Sequence, residues 1–375
     1  MPFIIANFWR LFLKNFAENN YFLLLCYKIL QLMKLDDFLN LINMDSTSGK
    51  ERRLAEFLAY GFATARCEVE LFEVGDGSLN LYFSWGKPRV VFCTHLDTVP
   101  PFIPARTERI PAQEPEASED IRIYGRGSCD AKGQIYAMYT ACVELEEMGC
   151  TDFGLLLVSG EETGSHGAKM VRNQVAPTPY LVVGEPTDNR MVTACKGTKS
   201  FEVILQGQSA HSGYPEHGIS AILRFNEWIN RLQTIDFPTD PILGATTWNI
   251  GQLHSDNAQN MLSDQVRFRI YFRTTFVSDQ QVCQVMDELR NEYTHIIAHG
   301  GDTPAHYYTL EGFPTTTVAF GNDAPHLPGY THKIICGPGS ILVAHTEDES
   351  IRWSEIRQAA DLYKTIYHQI QRKTE

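Results

Sequence analysis

Three short apolar runs constrain the fold of this chain more than any other feature. They read VVFC at 90–93, FGLLLV at 153–158 and YLVV at 180–183, and turn residues follow the last two closely. Runs of this length and character are typical of strands covered on both faces, as in a parallel sheet. Apolar residues at helical spacing over 135–148 separate the first run from the second. Strands that alternate with helices predict an α/β catalytic domain built on a mostly parallel sheet.

A different pattern begins near residue 199 and predicts a smaller α+β domain inserted into the first. The predicted order is a strand, a helix from about His217 to Leu232, two strands, a helix from Ser278 to about Ile297, and a strand HYYTLE. This βαββαβ order is ferredoxin-like. We therefore expect a catalytic domain in two parts, 33–198 and 311–375, with the inserted domain at 199–310.

Residues 1–32 form an N-terminal extension that is rich in aromatic and aliphatic residues. Arg10, Lys14 and Glu18 interrupt it, so no uncharged run is long enough to span a bilayer, and no signal-peptide cleavage site follows. The favoured interpretation is an extra packed helix, a partly disordered one, or translation assigned from a start upstream of Met33. The alternative is an amphipathic anchor in the membrane interface.

Charge and cysteine content exclude several classes of function. The net charge of -13 repels nucleic acid and anionic lipid. Nine scattered cysteines include no C-x-x-C pair, which argues against a disulfide framework and a cysteine-based zinc site. We expect a cytoplasmic protein with neither a nucleic-acid partner nor a membrane span.

Acidic and histidine residues follow the predicted strands where ligands bind in open parallel sheets, beyond the carboxyl ends. Asp130 stands at the predicted start of a helix. The candidates are His95, Asp130, Glu161, Glu162, Glu185 and His345. Converging carboxylates repel one another unless cations neutralise them. Mixed histidine and carboxylate ligands suit Zn²⁺, with Mn²⁺ or Co²⁺ as alternatives.

Each of these signals is weak by itself. H-x-D at His95 and Asp97 is common by chance, adjacent glutamates are usually solvated, and Asp130 could simply cap its helix. His345 could be an ordinary loop histidine. Their conjunction at the strand ends of one predicted sheet favours the metal site.

Six motifs resemble the successive signatures of the M20 metallopeptidase and deacylase family. They are THLDTVP, YGRGSCDAKG, SGEETGSHGA, VVGEPT, GQSAHSGYPEHGISAI and CGPGSILVAHTEDE. The resemblance covers about residue 33 to the C-terminus. Within the family the chain is most similar to acetylornithine and acetylcitrulline deacetylases, also through GDGSLNLYF and NMLSDQVRFRIYFR.

The resemblance implies a centre with two zinc ions. His95 and Glu185 would bind one ion and Glu162 and His345 the other, with Asp130 bridging them. Asp97 would hydrogen-bond His95 and fix its tautomer. Glu161 would be the general base that deprotonates the attacking water.

The resemblance also implies that the inserted domain is a lid used for dimerisation. His211 would stabilise the oxyanion, often across a homodimer interface in this family. Asn260 and Arg273 would recognise the substrate, with Arg273 a partner for its carboxylate. A histidine between small residues could instead cap a turn, and an arginine in an alternating strand is ordinarily exposed.

One segment, GFPTTTVAFGNDAPHLPGYTHK, departs from the family pattern by being shorter and by offering GNDA where a pocket-lining loop is expected. Substrate specificity therefore stays open. We predict a zinc-dependent hydrolase of a small N-acyl amino acid, N-acetylornithine or N-acetylcitrulline, in arginine biosynthesis. The alternatives are succinyl-diaminopimelate desuccinylation, dipeptidase or aminopeptidase activity on the same machinery, and a non-catalytic binding protein of the same fold.

Overall fold

A computed structural model describes residues 34–75, 77–111 and 120–373. The predicted N-terminal extension, 1–32, lies outside the described residues. The described chain divides into two compact units. The first unit comprises the residues up to Val192, Tyr308–Thr316 and those from Asn322 onward. The second comprises Thr193–Tyr307 and Thr317–Gly321.

Strands and helices are numbered here in chain order. The strands are β1 (Glu68–Gly75), β2 (Ser78–Trp85), β3 (Val90–His95), β4 (Arg106–Ile110), β5 (Asp120–Tyr124), β6 (Phe153–Val158), β7 (Tyr180–Val183), β8 (Met191–Cys195), β9 (Gly197–Gln206), β10 (Thr247–His254), β11 (Gln265–Thr274), β12 (Thr294–Ala298), β13 (Ala305–His306), β14 (Thr315–Val318), β15 (His332–Ile335) and β16 (Ser350–Arg352). The helices are α1 (Leu35–Ile42), α2 (Arg52–Gly61), α3 (Lys132–Glu147), α4 (His166–Val171), α5 (Ala221–Gln233), α6 (Asp279–Glu288) and α7 (Trp353–Arg372). Short 3₁₀ helices occupy Pro215–His217 and Ala324–His326.

A six-stranded mixed sheet forms the centre of the first unit, in the order β1-β2-β6-β3-β7-β15. β3 lies between β6 and β7 and is parallel to both, and β15 is parallel to β7. β1 and β2 are antiparallel additions on one side. Every residue of β3, β6 and β7 is buried, which explains why these strands read as continuous apolar runs.

Helix α3 is the most enclosed helix of the first unit. All its residues from Lys132 to Cys142 are buried, so it lacks a clear polar face. It packs against α7, whose Tyr363 hydroxyl donates to the carbonyl of Cys336, just after β15. The tight packing fixes the position of the chain immediately before α3, which includes Asp130.

The second unit contains an antiparallel sheet in the order β10-β11-β9-β12. Along β11, buried Val266, Phe268, Ile270 and Phe272 alternate with more exposed residues. One face of this sheet is therefore apolar, and α5 and α6 cover it. The element order is β9, α5, β10, β11, α6, β12.

The predicted helix from Ser278 to about Ile297 is wrong in its second half. α6 ends at Glu288, and Thr294–Ala298 instead forms β12, which pairs with β9. Apolar residues continue at helical spacing through Leu289, Tyr293 and Ile296, so periodicity could not reveal the break. Of the predicted strand HYYTLE, only His306 lies in a strand, as the second residue of β13.

Two small sheets complete the described structure. One of them, β16-β5-β4, belongs to the first unit. The other, β13-β8-β14, contains β8 and β14, within which the chain passes from one unit to the other. No helix in the described ranges is both long enough and apolar enough to cross a bilayer.

Candidate metal centre

The predicted metal-binding residues of the first unit lie close to the carboxyl ends of parallel strands. His95 is the last residue of β3, and Glu161 and Glu162 follow β6. Glu185 follows β7, and His345 lies in the loop beyond β15. In an open sheet this is the edge where ligands bind.

Three of these residues come together closely. Ligand atoms of His95, Asp130 and Glu162 all lie within 4.8 Å of one another. His95 Nε2 is 2.9 Å from Asp130 Oδ1. His95 and Asp130 are buried, and Glu162 is partly buried. Nitrogen and carboxylate oxygen atoms at such separations can act together as ligands of divalent cations.

His345 joins this group from the partly exposed side. Its Nε2 lies 2.8 Å from Glu162 Oε1 and 3.3 Å from Asp130 Oδ2. Asp130 therefore faces His95 with one oxygen and His345 with the other. This is the arrangement that a carboxylate between two cations would need.

Asp97 holds the loop after β6 as well as the end of β3. Its Oδ1 accepts the backbone N–H of Glu161 at 3.0 Å, and its Oδ2 accepts that of Glu162 at 3.1 Å. Oδ2 also accepts the Ser48 hydroxyl at 2.9 Å. His95 Nδ1 is 2.9 Å from the backbone carbonyl of Asp97 and 3.6 Å from its carboxylate. The backbone carbonyl is thus the nearer partner that orients the imidazole.

The electrostatics of the centre show an excess of buried negative charge. Burial, and then the neighbouring acids, raise the pKa values of Glu161 and Glu185 well above the ordinary range. Hydrogen bonds with Asp130 and Glu162 raise the pKa of His345 to about 10. Although burial acts the other way, the hydrogen bonds of His345 and His95 lower the pKa of Asp130.

These pKa shifts are typical of a cation site in which protonated histidines supply the positive charge in place of a metal ion. Carboxylates crowded in a buried place stay ionised only beside compensating charge. A divalent cation fits the donor set, because it can replace the protons on His95 and His345 and match the nitrogen and oxygen ligands. Glu185 belongs to the same buried region, since the charges of Glu161 and Asp130 both raise its pKa.

Asp323 is a further acid of this region that sequence reasoning did not single out. It is buried in the GNDA segment, and its carboxylate accepts a hydrogen bond from Ser165. Its Oδ1 has no hydrogen-bond partner among the described residues. Burial raises the pKa of Asp323 to about 6. The only signal in the sequence was that GNDA departs from the family pattern.

The predicted lid residues lie in the second unit. His211 forms an isolated bridge with Met261, and its Nδ1 accepts the backbone N–H of Gly213 at 3.1 Å. The carbonyl of Asn260 accepts the N–H of Ser212 at 2.9 Å, so His211 and Asn260 lie on neighbouring segments. Arg273 is in β11, with its guanidinium 4.9 Å from the ring centre of Tyr271. Their roles in catalysis stay predictions.

Sequence comparison identifies a family and relatives. The profile described as peptidase family M20/M25/M40 matches residues 91–369. A probable carboxypeptidase of Aspergillus flavus is 32% identical over 365 residues, covering 87% of this chain and 87% of that protein.

Structural comparison finds the same fold in solved structures. A tripeptidase from Staphylococcus aureus has a TM-score of 0.69 and 20% sequence identity, covering 88% of this chain and 94% of that chain. A dinuclear metal-binding peptidase of the M20 family from Bacillus subtilis has a TM-score of 0.61 and 12% identity, covering 90% of this chain and 97% of that chain. At these identities the likeness concerns the fold, which has mixed α/β sheets.

Proposed function

This chain belongs to peptidase family M20/M25/M40, and we propose that it is a dinuclear metal-dependent hydrolase of an amide bond in a small N-acyl amino acid. The observation that carries the proposal is the convergence of His95, Asp130 and Glu162 within 4.8 Å, with Glu161 beside them. N-acetylornithine and N-acetylcitrulline are the substrates we propose first, because the motif resemblance is closest to their deacetylases.

The proposed ligands are the residues that the resemblance implies. His95 and Glu185 would hold one ion, Glu162 and His345 the other, and Asp130 would bridge. Two bound divalent cations, zinc or a similar ion, would supply Lewis-acid polarisation of the scissile carbonyl and a more acidic water. The opposed contacts of Asp130 with His95 and His345 support the bridging role.

Glu161 is the proposed general base and acid. Its backbone N–H is held by Asp97, so its loop position is determined by hydrogen bonding. Burial raises its pKa, which gives the carboxylate a greater affinity for a proton. A base of this kind can take a proton from water and later give it to the leaving amine.

We assign residues 199–310 as the lid and dimerisation domain, and 33–198 with 311–375 as the catalytic domain. The βαββαβ order of the second unit supports a ferredoxin-like lid. In it, His211 would stabilise the oxyanion of a homodimer partner's site, and Asn260 and Arg273 would bind the substrate. The cysteines among the described residues are free thiols, which supports a reducing cytoplasm as its location.

A second candidate is a peptidase that removes the C-terminal residue of a short peptide. It is favoured by the relative at 32% identity that carries the name probable carboxypeptidase. Both reactions cleave an amide bond next to a free carboxylate, so the same centre and the same Arg273 would serve either. A non-catalytic binding protein is disfavoured because Glu161 and all five proposed ligands are present.

A hydrolysis screen tests the proposal. The full chain, loaded with Zn²⁺, Co²⁺ or Mn²⁺, is assayed on N-acetylornithine, N-acetylcitrulline, N-succinyl-diaminopimelate, dipeptides and N-blocked dipeptides. Preference for an N-acetyl amino acid supports the first candidate, and preference for an N-blocked dipeptide supports the second. Glu161→Gln is the control for contaminating hydrolases. Hydrolysis of none of these substrates with any of the metals contradicts the proposal.

A further inference from the structure

The buried ion pair of Arg126 and Glu349 joins the loops that carry Asp130 and His345, and we propose that this pair is a positioning device for the metal centre. It sets the placement of Asp130 relative to His345. Neither member of the pair is among the proposed ligands. The inference rests on the proposed function, because it concerns how that centre binds cations.

Glu349 uses both of its carboxylate oxygens inside the protein. Oε2 accepts from Arg126 Nη1 at 2.6 Å. Oε1 accepts the backbone N–H groups of Gly127, Cys129 and Asp130, at 2.9, 3.1 and 3.1 Å. Three N–H groups directed at one oxygen form an anion-binding nest in the chain before α3. Here a side chain of the protein itself occupies that nest.

Arg126 extends the connection to the other loop. It is 2% exposed, and its Nη1 also donates to the carbonyl of Thr346 at 3.2 Å, next to His345. Its Nε donates to the carbonyl of Pro101 at 3.3 Å. The guanidinium therefore links the loop of Asp130, the loop of His345 and the chain beyond β3 through one rigid planar group.

The position of Asp130 follows from these contacts. Its own N–H is one of the three donors to Glu349, so the backbone from which its carboxylate extends is fixed. That carboxylate lies between His95 and His345. Sites that hold two cations about 3.5–4 Å apart need ligands placed to within about 0.5 Å. A small rotation of the 127–130 backbone would exceed that tolerance.

Stability alone is a poor explanation for this pair. A buried ion pair loses much of its attraction to the cost of removing both charges from water, and apolar residues of similar volume are often at least as stabilising. The carboxylate of Glu349 does what an apolar side chain could not, because it orients three N–H groups at once. Positioning accounts for both charges and for every hydrogen bond of the Glu349 carboxylate.

Glu349→Gln tests the proposal. The amide oxygen can still accept the three N–H groups, but the amide NH₂ faces Arg126 and the ion pair is lost. We expect zinc affinity to fall about 10–100-fold, measured by titrating Zn²⁺ into the metal-free full chain against a chromophoric chelator. The visible absorption spectrum of the Co²⁺-loaded protein should also change, since it reports ligand geometry.

Glu146→Gln is the matched control. Glu146 is also buried, and it accepts the indole N–H of Trp85 at 2.7 Å at the far end of α3. This variant should lose stability without changing zinc affinity or the cobalt spectrum. A Glu349→Gln protein that binds Zn²⁺ as tightly as wild type, with the wild-type cobalt spectrum, overturns the proposal.

Arg126→Lys decides the matter if Glu349→Gln does not fold. Lysine keeps the positive charge but cannot reach Glu349, Thr346 and Pro101 together, so zinc affinity should again fall; wild-type affinity would overturn the proposal. The titration of the wild-type protein distinguishes failure of the proposed function from failure of the positioning role. If wild type binds no divalent cation, the proposed function fails and positioning fails with it. If wild type binds and the variants bind equally well, only the positioning role fails.

Discussion

The carboxylate of Asp97 accepts the backbone N–H of Glu161 at 3.0 Å. Its second oxygen accepts the N–H of Glu162 at 3.1 Å, so one side chain fixes the start of the loop that carries the proposed base and a proposed ligand. Asp97 also follows His95 by two residues. A single buried carboxylate therefore fixes the position of the loop after β6 relative to the end of β3.

Asp97→Ala should weaken metal binding and slow hydrolysis together. The loop loses both acceptors, which leaves two backbone N–H groups without their partner. We expect zinc affinity to fall about 10–100-fold, measured by chelator competition. Ser48→Ala is the control, because it removes only the hydroxyl that donates to Asp97 and should leave affinity near wild type. Unchanged affinity in Asp97→Ala would show that the loop does not depend on this carboxylate.

Glu161→Gln and Glu162→Gln should each lose hydrolytic activity, but for different reasons. Glutamine at 161 cannot take a proton from water, so kcat should fall by about 10²–10⁴-fold while the zinc content stays at the wild-type value. Glutamine at 162 replaces a carboxylate ligand with a neutral amide, so zinc content should fall as well. Elemental analysis beside steady-state kinetics distinguishes the two. An active Glu161→Gln protein would contradict the proposed base.

The central sheet could be predicted because its strands carry their signal locally. The runs that became β3, β6 and β7 are apolar throughout since both faces are covered. The second half of the helix predicted to reach Ile297 could not be judged in this way. Its residues become β12 only through pairing with β9, and that pairing is set by contacts distant in the sequence.

The candidate site shows the same division. His95 ends an apolar strand, Asp130 precedes a recognisable helix and Glu162 follows another apolar strand, so their convergence could be predicted. Asp323 and Glu349 could not be recognised as buried, because GNDA and TEDE read as solvated polar segments. In TEDE, Glu347 and Asp348 are indeed exposed, and only Glu349 is enclosed. Burial of single polar residues depends on tertiary packing, which sequence patterns do not encode.

The metal-free protein should lose stability as the pH rises. Burial raises the pKa of Asp323 to about 6, above its unfolded value of 3.8. The folded protein then binds the extra proton, so this contribution is present in full below 3.8 and is lost as the pH rises through about 6. His345 acts in the same direction, since its pKa is raised from 6.5 to about 10.

Thermal unfolding in chelator from about pH 5 to about pH 6.5 measures this effect. At higher pH Lys132 acts in the opposite direction, because burial lowers its pKa to about 7. The unfolding temperature should fall across that range, and Asp323→Asn should reduce the fall. Asp97 and Asp130 have lowered pKa values. They therefore stabilise the fold at every pH above their unfolded pKa, and they do not change the stability across this range. Zn²⁺ at the upper pH should restore the unfolding temperature, since it binds only the folded centre. An unfolding temperature that stays constant or rises with pH in chelator would contradict the raised pKa values of Asp323 and His345.

His211 provides a test of the proposed dimer. If it completes the site of the partner subunit, His211→Ala and Glu161→Gln should each be nearly inactive alone. A mixed dimer then holds one site with an intact Glu161 and an intact His211 from the partner. Random exchange of subunits at equal amounts should restore roughly a quarter of the wild-type rate. The activity should appear only after conditions that let subunits exchange, and size-exclusion chromatography should show dimers throughout.

The control for this experiment mixes the Glu161→Gln protein with the Asp97→Ala protein. Both changes lie in the first unit, and Asp97 contacts the loop of Glu161 in the same chain. Mixed dimers of these two variants hold two defective catalytic units and should not gain activity. If the His211→Ala mixture also gains none while dimers form and exchange, His211 does not act across the interface. If His211→Ala alone keeps the wild-type rate, His211 is not the oxyanion residue, because removing such a donor costs about 10²–10³-fold in kcat.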